Sequence, residues 1–174
     1  MEGLYLQYNN LMGPIPATIF NISTLQIIAF THNQFSSKLP SSIGVLLPNL
    51  ERLHLGENEL SGIVPDSISN ASKLVILVLS NNRFNGSIPS SLSNLRLLDY
   101  LYLSGNNFTC EYSSSSELNF LTSLSTFLNI DGNELTGFIP ITIKNLSKLQ
   151  ILSLYDNRIQ GFIPDKSQAP LEVY

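Results

Sequence analysis

The sequence predicts an α/β solenoid: a right-handed superhelix bent into a horseshoe, with about seven turns of 24 residues and a parallel β-sheet on its concave side. Three observations predict it. An asparagine recurs at Asn9, Asn33, Asn58, Asn82, Asn106, Asn133 and Asn157, at intervals of 24, 25, 24, 24, 27 and 24 residues by subtraction. Apolar residues stand five and three positions before each one, as Leu4/Leu6, Ile28/Phe30, Leu53/Leu55, Leu77/Leu79, Leu101/Leu103, Leu128/Ile130 and Leu152/Leu154. Another follows two positions after it, as Leu11, Phe35, Leu60, Phe84, Phe108, Leu135 or Ile159.

Each part of the repeat has a physical reason. The apolar-x-apolar pair is a short strand whose alternation sends two side chains inward and the intervening ones outward. One turn cannot bury its apolar side alone. Turns stacked at about 4.8 Å share a sheet and an interior, so stability is approximately a sum over neighbours. The asparagine ends the strand, and its amide is placed to bond free backbone groups and form a ladder along the array. Gly13, Gly62, Gly86, Gly137 and Gly161 then relax the backbone where the coil bends, and the prolines that follow stop the strand.

Bulk properties fit an elongated interior. The 174 residues are 43% hydrophobic and 13% charged, with a net charge of −4 and scattered Lys and Arg. This is no electrostatic footprint for nucleic acid. No apolar run approaches the roughly 18 residues of a membrane span. Cys110 is the single cysteine, so no internal disulfide forms, and no cationic residue nearby in sequence activates its thiol. The chain enters the pattern in mid-repeat, with Met1 at a leucine position and no secretion signal before it. Near the other end, Ser167 stands where earlier turns place Ile19, Ile43, Ile68, Leu92 and Ile143. Neither end carries an atypical capping turn. The expectation is one domain over residues 1–174, uncapped at both ends, from a fragment or truncated gene product.

The forms LYLQYNNLMGPIP, LHLGENELSGIVP, LVLSNNRFNGSIP, LNIDGNELTGFIP and LSLYDNRIQGFIP resemble the plant-specific class of leucine-rich repeats. The fifth repeat begins as LYLSGNNFTC and then departs into an irregular insert, 109–126, that ends in LNFLTSL. This heptapeptide resembles the interruption in ectodomains of plant receptor kinases related to the flagellin, elongation-factor-Tu and rice blight resistance receptors. Leu121, Leu124 and Phe127 fall one residue out of frame with Leu128 and Ile130, which predicts a local bulge. The resemblance implies an extracellular position at the plasma membrane, with a transmembrane helix and a Ser/Thr kinase in the complete receptor. This chain contains no Gly-rich phosphate loop, catalytic Asp or strand-Lys motif, so it is not expected to be an enzyme or to hold a cofactor.

Outward-facing strand positions are free to encode recognition. The candidates are Tyr5, Tyr8, His32, Arg52, His54, Glu57, Val78, Tyr100, Tyr102, Asn129, Asp131 and Tyr155. Tyr and Arg dominate binding hot spots, and Tyr100 and Tyr102 sit beside the apolar Ile76 and Val78. Six strand gaps give a face roughly 29 Å long, room for an extended peptide of about nine residues. His32 and His54 lack a third ligand for a metal, and Asp131 and Asp156 lack the closed pocket of a glycosidase pair. Five Asn-x-Ser/Thr sequons, at Asn21, Asn70, Asn85, Asn107 and Asn145, fit a glycosylated ectodomain. Three of them, Asn21, Asn70 and Asn145, share one repeat position five residues after a proline.

The expected function is peptide or protein recognition within a receptor-like kinase of defence or developmental signalling, with a co-receptor kinase as a possible further partner. Two alternatives stand beside it. One is a secreted inhibitor of cell-wall hydrolases, whose relatives carry capping cysteine pairs that this chain lacks. The other is a truncated product without an independent role.

Overall fold

A computed structural model describes residues 1–109, 126–140, 143 and 148–164. Each apolar-x-apolar signal forms a three-residue strand, numbered along the chain: β1 (Gly3–Tyr5), β3 (Ile27–Ala29), β5 (Arg52–His54), β7 (Ile76–Val78), β9 (Tyr100–Tyr102), β11 (Phe127–Asn129) and β12 (Ile151–Ser153). They form one seven-stranded parallel sheet in that order. Leucine stacks on leucine in register, Leu53 beside Leu77 and Leu77 beside Leu101. The insert does not disturb this register, since Leu128 pairs with Leu101. The bulge expected around Leu121 and Leu124 lies outside the described residues, as does Cys110.

A second sheet was not anticipated. Residues after each asparagine form β2 (Met12–Pro14), β4 (Gln34–Ser37), β6 (Glu59–Gly62), β8 (Arg83–Gly86) and β10 (Asn107–Phe108), a five-stranded sheet in the order β10-β8-β6-β4-β2. In three turns the proline after it leads directly into a short helix. Pro16 precedes α1 (Ala17–Phe20), and Pro65 and Pro89 precede the 3-10 helices Asp66–Asn70 and Ser90–Asn94. A fixed φ and a missing N–H suit this position, because the first helical amides have no partner within the helix. A second short α-helix, α2, spans Ile43–Leu46.

One apolar cluster runs through the array from Ile15 to Leu135, with Phe30, Phe84, Phe108 and the strand leucines at its centre. The asparagines thread it. Nδ2 of Asn82 donates to the carbonyls of Leu79 and Ser80 in its own turn and of Leu55 in the previous one, while its Oδ1 accepts from the N–H of Leu60. Asn33, Asn58, Asn106, Asn133 and Asn157 repeat the pattern. The side-chain amide of Asn9 bonds only within its own turn, and the residue is exposed.

The residue before each ladder asparagine takes a left-handed backbone: Tyr8, His32, Glu57, Asn81, Gly105, Gly132 and Asp156 all have φ between 52° and 63°. In all of these but Asp156 the N–H bonds to the next repeat, as when Glu57 donates to the carbonyl of Ser80 at 2.8 Å and Asn81 to that of Ser104 at 2.8 Å. The bonds offset the roughly 1–2 kcal/mol that an L-residue loses in this region.

Candidate functional site

The outward side chains of the seven-stranded sheet fall into two columns. One contains Ile27, Arg52, Ile76, Tyr100, Phe127 and Ile151, and the other Tyr5, Ala29, His54, Val78, Tyr102, Asn129 and Ser153. Strand register makes neighbours of residues about 24 positions apart. Tyr100 and Tyr102 thus flank Ile76 and Val78 on one side and Phe127 on the other. The Phe127 ring centroid lies 6.3 Å from that of Tyr100 and 5.0 Å from that of Tyr102. This platform is partly open, with Tyr100 exposed and Ile76, Val78, Tyr102 and Phe127 half-buried. Phe127 stands outside the predicted site residues, although its place at a strand position beside two tyrosines could have marked it.

Arg52 and His54 share β5 two residues apart and so project to the same side. Arg52 is exposed between Ile27 and Ile76, and no salt bridge to it exists among the described residues. His54 is half-buried between Ala29 and Val78, and its pKa is lowered from 6.5, first by burial and then by the charge of Arg52. A base with a lowered folded pKa is protonated more readily when unfolded. Its contribution is therefore complete above about 6.5 and lost as pH falls below that value. Urea midpoints are expected to fall on acidification from about pH 7.5 to 5.5, and His54→Gln should flatten the slope in side-by-side titrations.

Tyr8, His32 and Glu57 lie on the left-handed turns that border this face. Tyr8 stacks on His32 with centroids 4.4 Å apart, and Nδ1 of His32 lies 3.0 Å from Glu57 Oε2. Three turns are thus linked at the rim, which separates His32 from His54 on the strand face. Asp131 is committed to its neighbours. Its carboxylate accepts from Ser153 Oγ at 2.8 Å and the N–H of Tyr155 at 2.7 Å, and its own N–H donates to Asn129 Oδ1. Asp131 therefore holds the sixth and seventh turns together while Asn129 braces it within the sixth, structural duties that the expectation of freely variable outward positions did not include. Tyr5 and Tyr155 are exposed near opposite ends of the face.

Among the sequons, Asn21, Asn70, Asn85 and Asn107 are exposed, and Asn145 lies outside the described residues. No described helix is long and apolar enough to cross a membrane.

Comparison with known families matches residues 48–108 to a model described as leucine rich repeat, and residues 126–146 and 148–168 to a second of the same description. No curated protein sequence matches. Among solved structures, the Arabidopsis receptor kinase HAESA, in complex with the peptide hormone IDA and the co-receptor SERK1, is 29% identical with a TM-score of 0.84. The match covers 94% of this chain and 27% of that one. The plant peptide hormone receptor RGFR1, in complex with RGF2, is 34% identical at a TM-score of 0.76, with 94% and 30% covered. The leucine-rich repeat ectodomain of the receptor kinase SOBIR1 from Arabidopsis thaliana is 32% identical at a TM-score of 0.61, with 73% of this chain and 67% of that ectodomain covered. The chain therefore spans less than a third of the two hormone receptors and about two thirds of the SOBIR1 ectodomain. Repeat, register and relatives agree that the chain belongs to the leucine-rich repeat family, and its turns match those of plant receptor kinase ectodomains.

Proposed function

We propose that this chain is part of the extracellular ligand-recognising domain of a plant receptor-like kinase, and that an extended peptide lies along its seven-stranded face. The observation that carries the reading is the platform of Tyr100, Tyr102 and Phe127, continuous with Ile76 and Val78 and two strands from Arg52, which has no salt bridge among the described residues. Aromatic side chains bury much area for little lost rotamer freedom, and an exposed guanidinium selects for an anionic neighbour. The ligand that fits presents an apolar or aromatic side chain to the platform and an acidic one to Arg52. Two strand spacings, about 10 Å, separate these points, which an extended peptide bridges in about three residues.

The peptide complexes of the related HAESA and RGFR1 structures support this reading, as does the co-receptor in the former. Within the receptor kinases, the LNFLTSL heptapeptide supports the flagellin- and elongation-factor-Tu-receptor-like group and thus a defence role. The test is a screen of synthetic nine-residue peptides against the chain, followed by titration of the best binder. Tyr100→Ala with Tyr102→Ala is expected to weaken binding about 10- to 100-fold. Unchanged affinity would remove the platform from the site.

A further inference from the structure

Away from the proposed peptide face, the second sheet meets the short helices around a hollow of about 760 Å³. This lies within the roughly 300–1,000 Å³ of small-ligand sites. Its walls come from adjacent turns, with Lys38 and Leu39 from the second and Ile63, Pro65 and Asp66 from the third. Glycine positions two of them. The Lys38 alkyl chain lies over Gly62, where a Cβ would come within 2.9 Å of Cγ, and Ile63 lies over Gly86, where a Cβ would come within 3.0 Å of Cγ2. Both glycines also have positive φ, 82° and 75°, which L side chains rarely adopt. Ile63 is 64% exposed, an apolar wall left uncovered, and Leu39 and Pro65 add apolar lining.

Lys38 and Asp66 put opposite charges on the same lining. They do not pair with each other, and neither has a salt bridge to any described residue. Asp66 is held on its wall. Its Oδ1 accepts from Ser91 Oγ at 2.9 Å, and its main-chain carbonyl accepts from Ser69 Oγ at 2.9 Å. An anion alone would face Asp66, a cation alone would face Lys38, and a neutral apolar molecule would displace water from both charges without replacing it. The occupant that satisfies all three features carries both charges and an apolar body. A free amino acid holds its carboxylate and ammonium on one carbon, whereas the charges on these walls do not meet. A dipeptide with free ends separates its charges by a peptide unit and carries its side chains between them.

We propose that this hollow binds a short apolar peptide with both ends free, of dipeptide size. Lys38 Nζ donates to its terminal carboxylate, its ammonium donates to the Asp66 carboxylate, and an aliphatic side chain covers Ile63. The site is separate from the seven-stranded face and does not depend on the receptor reading.

The probe is leucyl-leucine, titrated into the chain and followed by amide chemical shifts in NMR, with its C-terminal amide and its N-acetyl form as comparisons. Leucyl-leucine is expected to bind with a Kd on the order of 1 mM. Each blocked form should bind about 3- to 10-fold more weakly, the modest loss suited to exposed charges. Lys38→Gln should erase the preference over the amide and keep the preference over the N-acetyl form, and Asp66→Asn should do the reverse. Ile63→Ser should weaken all three probes. Tyr100→Ala with Tyr102→Ala should change none of them, so that loss of the peptide face and loss of this hollow are read separately. Absence of a saturable shift at about 10 mM overturns the proposal. So do equal affinities for the three probes, charge variants that fail to tell the two blocked forms apart, or shifts confined to the seven-stranded sheet.

Discussion

Asn82→Ala is expected to destabilise the fold by about 3–5 kcal/mol, a loss large for a single surface-sized side chain. Asn82 is only 8% exposed, and its amide serves three carbonyls and one N–H across two adjacent turns. Alanine removes every one of these bonds and leaves the groups facing an apolar interior, where each unsatisfied group costs about 1–3 kcal/mol. Some carbonyls keep a second partner, so the sum is well below the product of these values. Asn82→Asp should be comparably harmful, because a carboxylate cannot donate to the three carbonyls. The control is Asn9→Ala, which removes bonds only at an exposed turn and should cost less than about 1 kcal/mol. Urea unfolding of the two variants measures the difference. Equal midpoints would show that the ladder adds nothing to the packing around it.

The second large effect is expected at Gly44, on the side of the coil away from the seven-stranded sheet. Gly44 lies in α2 and is buried against the following 3-10 helix. A Cβ placed there overlaps the carbonyl oxygen of Ser67 and comes within 2.8 Å of its carbon and 3.1 Å of the N–H nitrogen of Ala71. These neighbours are backbone atoms and cannot swing aside. Gly44→Ala must push the two turns apart and should cost about 2–3 kcal/mol, or a fall in Tm of roughly 5–10 °C. Val45→Ala, one residue along but exposed, should change stability by no more than about 0.5 kcal/mol. A Gly44→Ala protein with the parent Tm would mean that the convex contact is far looser than this geometry.

The ladder was legible in the sequence and the Gly44 contact was not, for a physical reason. Strand leucines and asparagines act through a period that repeats along the chain, so Leu77, Leu79 and Asn82 announce their inward direction by spacing alone. The convex segments vary in form, a short α-helix at Ile43–Leu46 but a 3-10 helix at Asp66–Asn70, and their contacts depend on how one form meets the next. The same limit applies to the recognition face. Its outward positions and the Tyr100–Tyr102 pair follow from alternation, whereas the engagement of Asp131 by Ser153 and Tyr155 depends on side chains 22 and 24 residues away. Likewise Tyr8, His32 and Glu57 look like independent candidates in the sequence. Ring stacking of Tyr8 on His32 and the close approach of His32 Nδ1 to the Glu57 carboxylate join them into one rim.

The asparagine seam also bears on how such a gene can change. Each rung joins a turn to its immediate neighbour only, so recombination that inserts or deletes one complete period restores every buried bond at the new junction. Deletion of half a period has no such tolerance, because it strands a carbonyl or an amide in the interior. The unit open to duplication is therefore a whole winding, and a lineage can lengthen its recognition face or shuffle its outward residues without redesigning the interior.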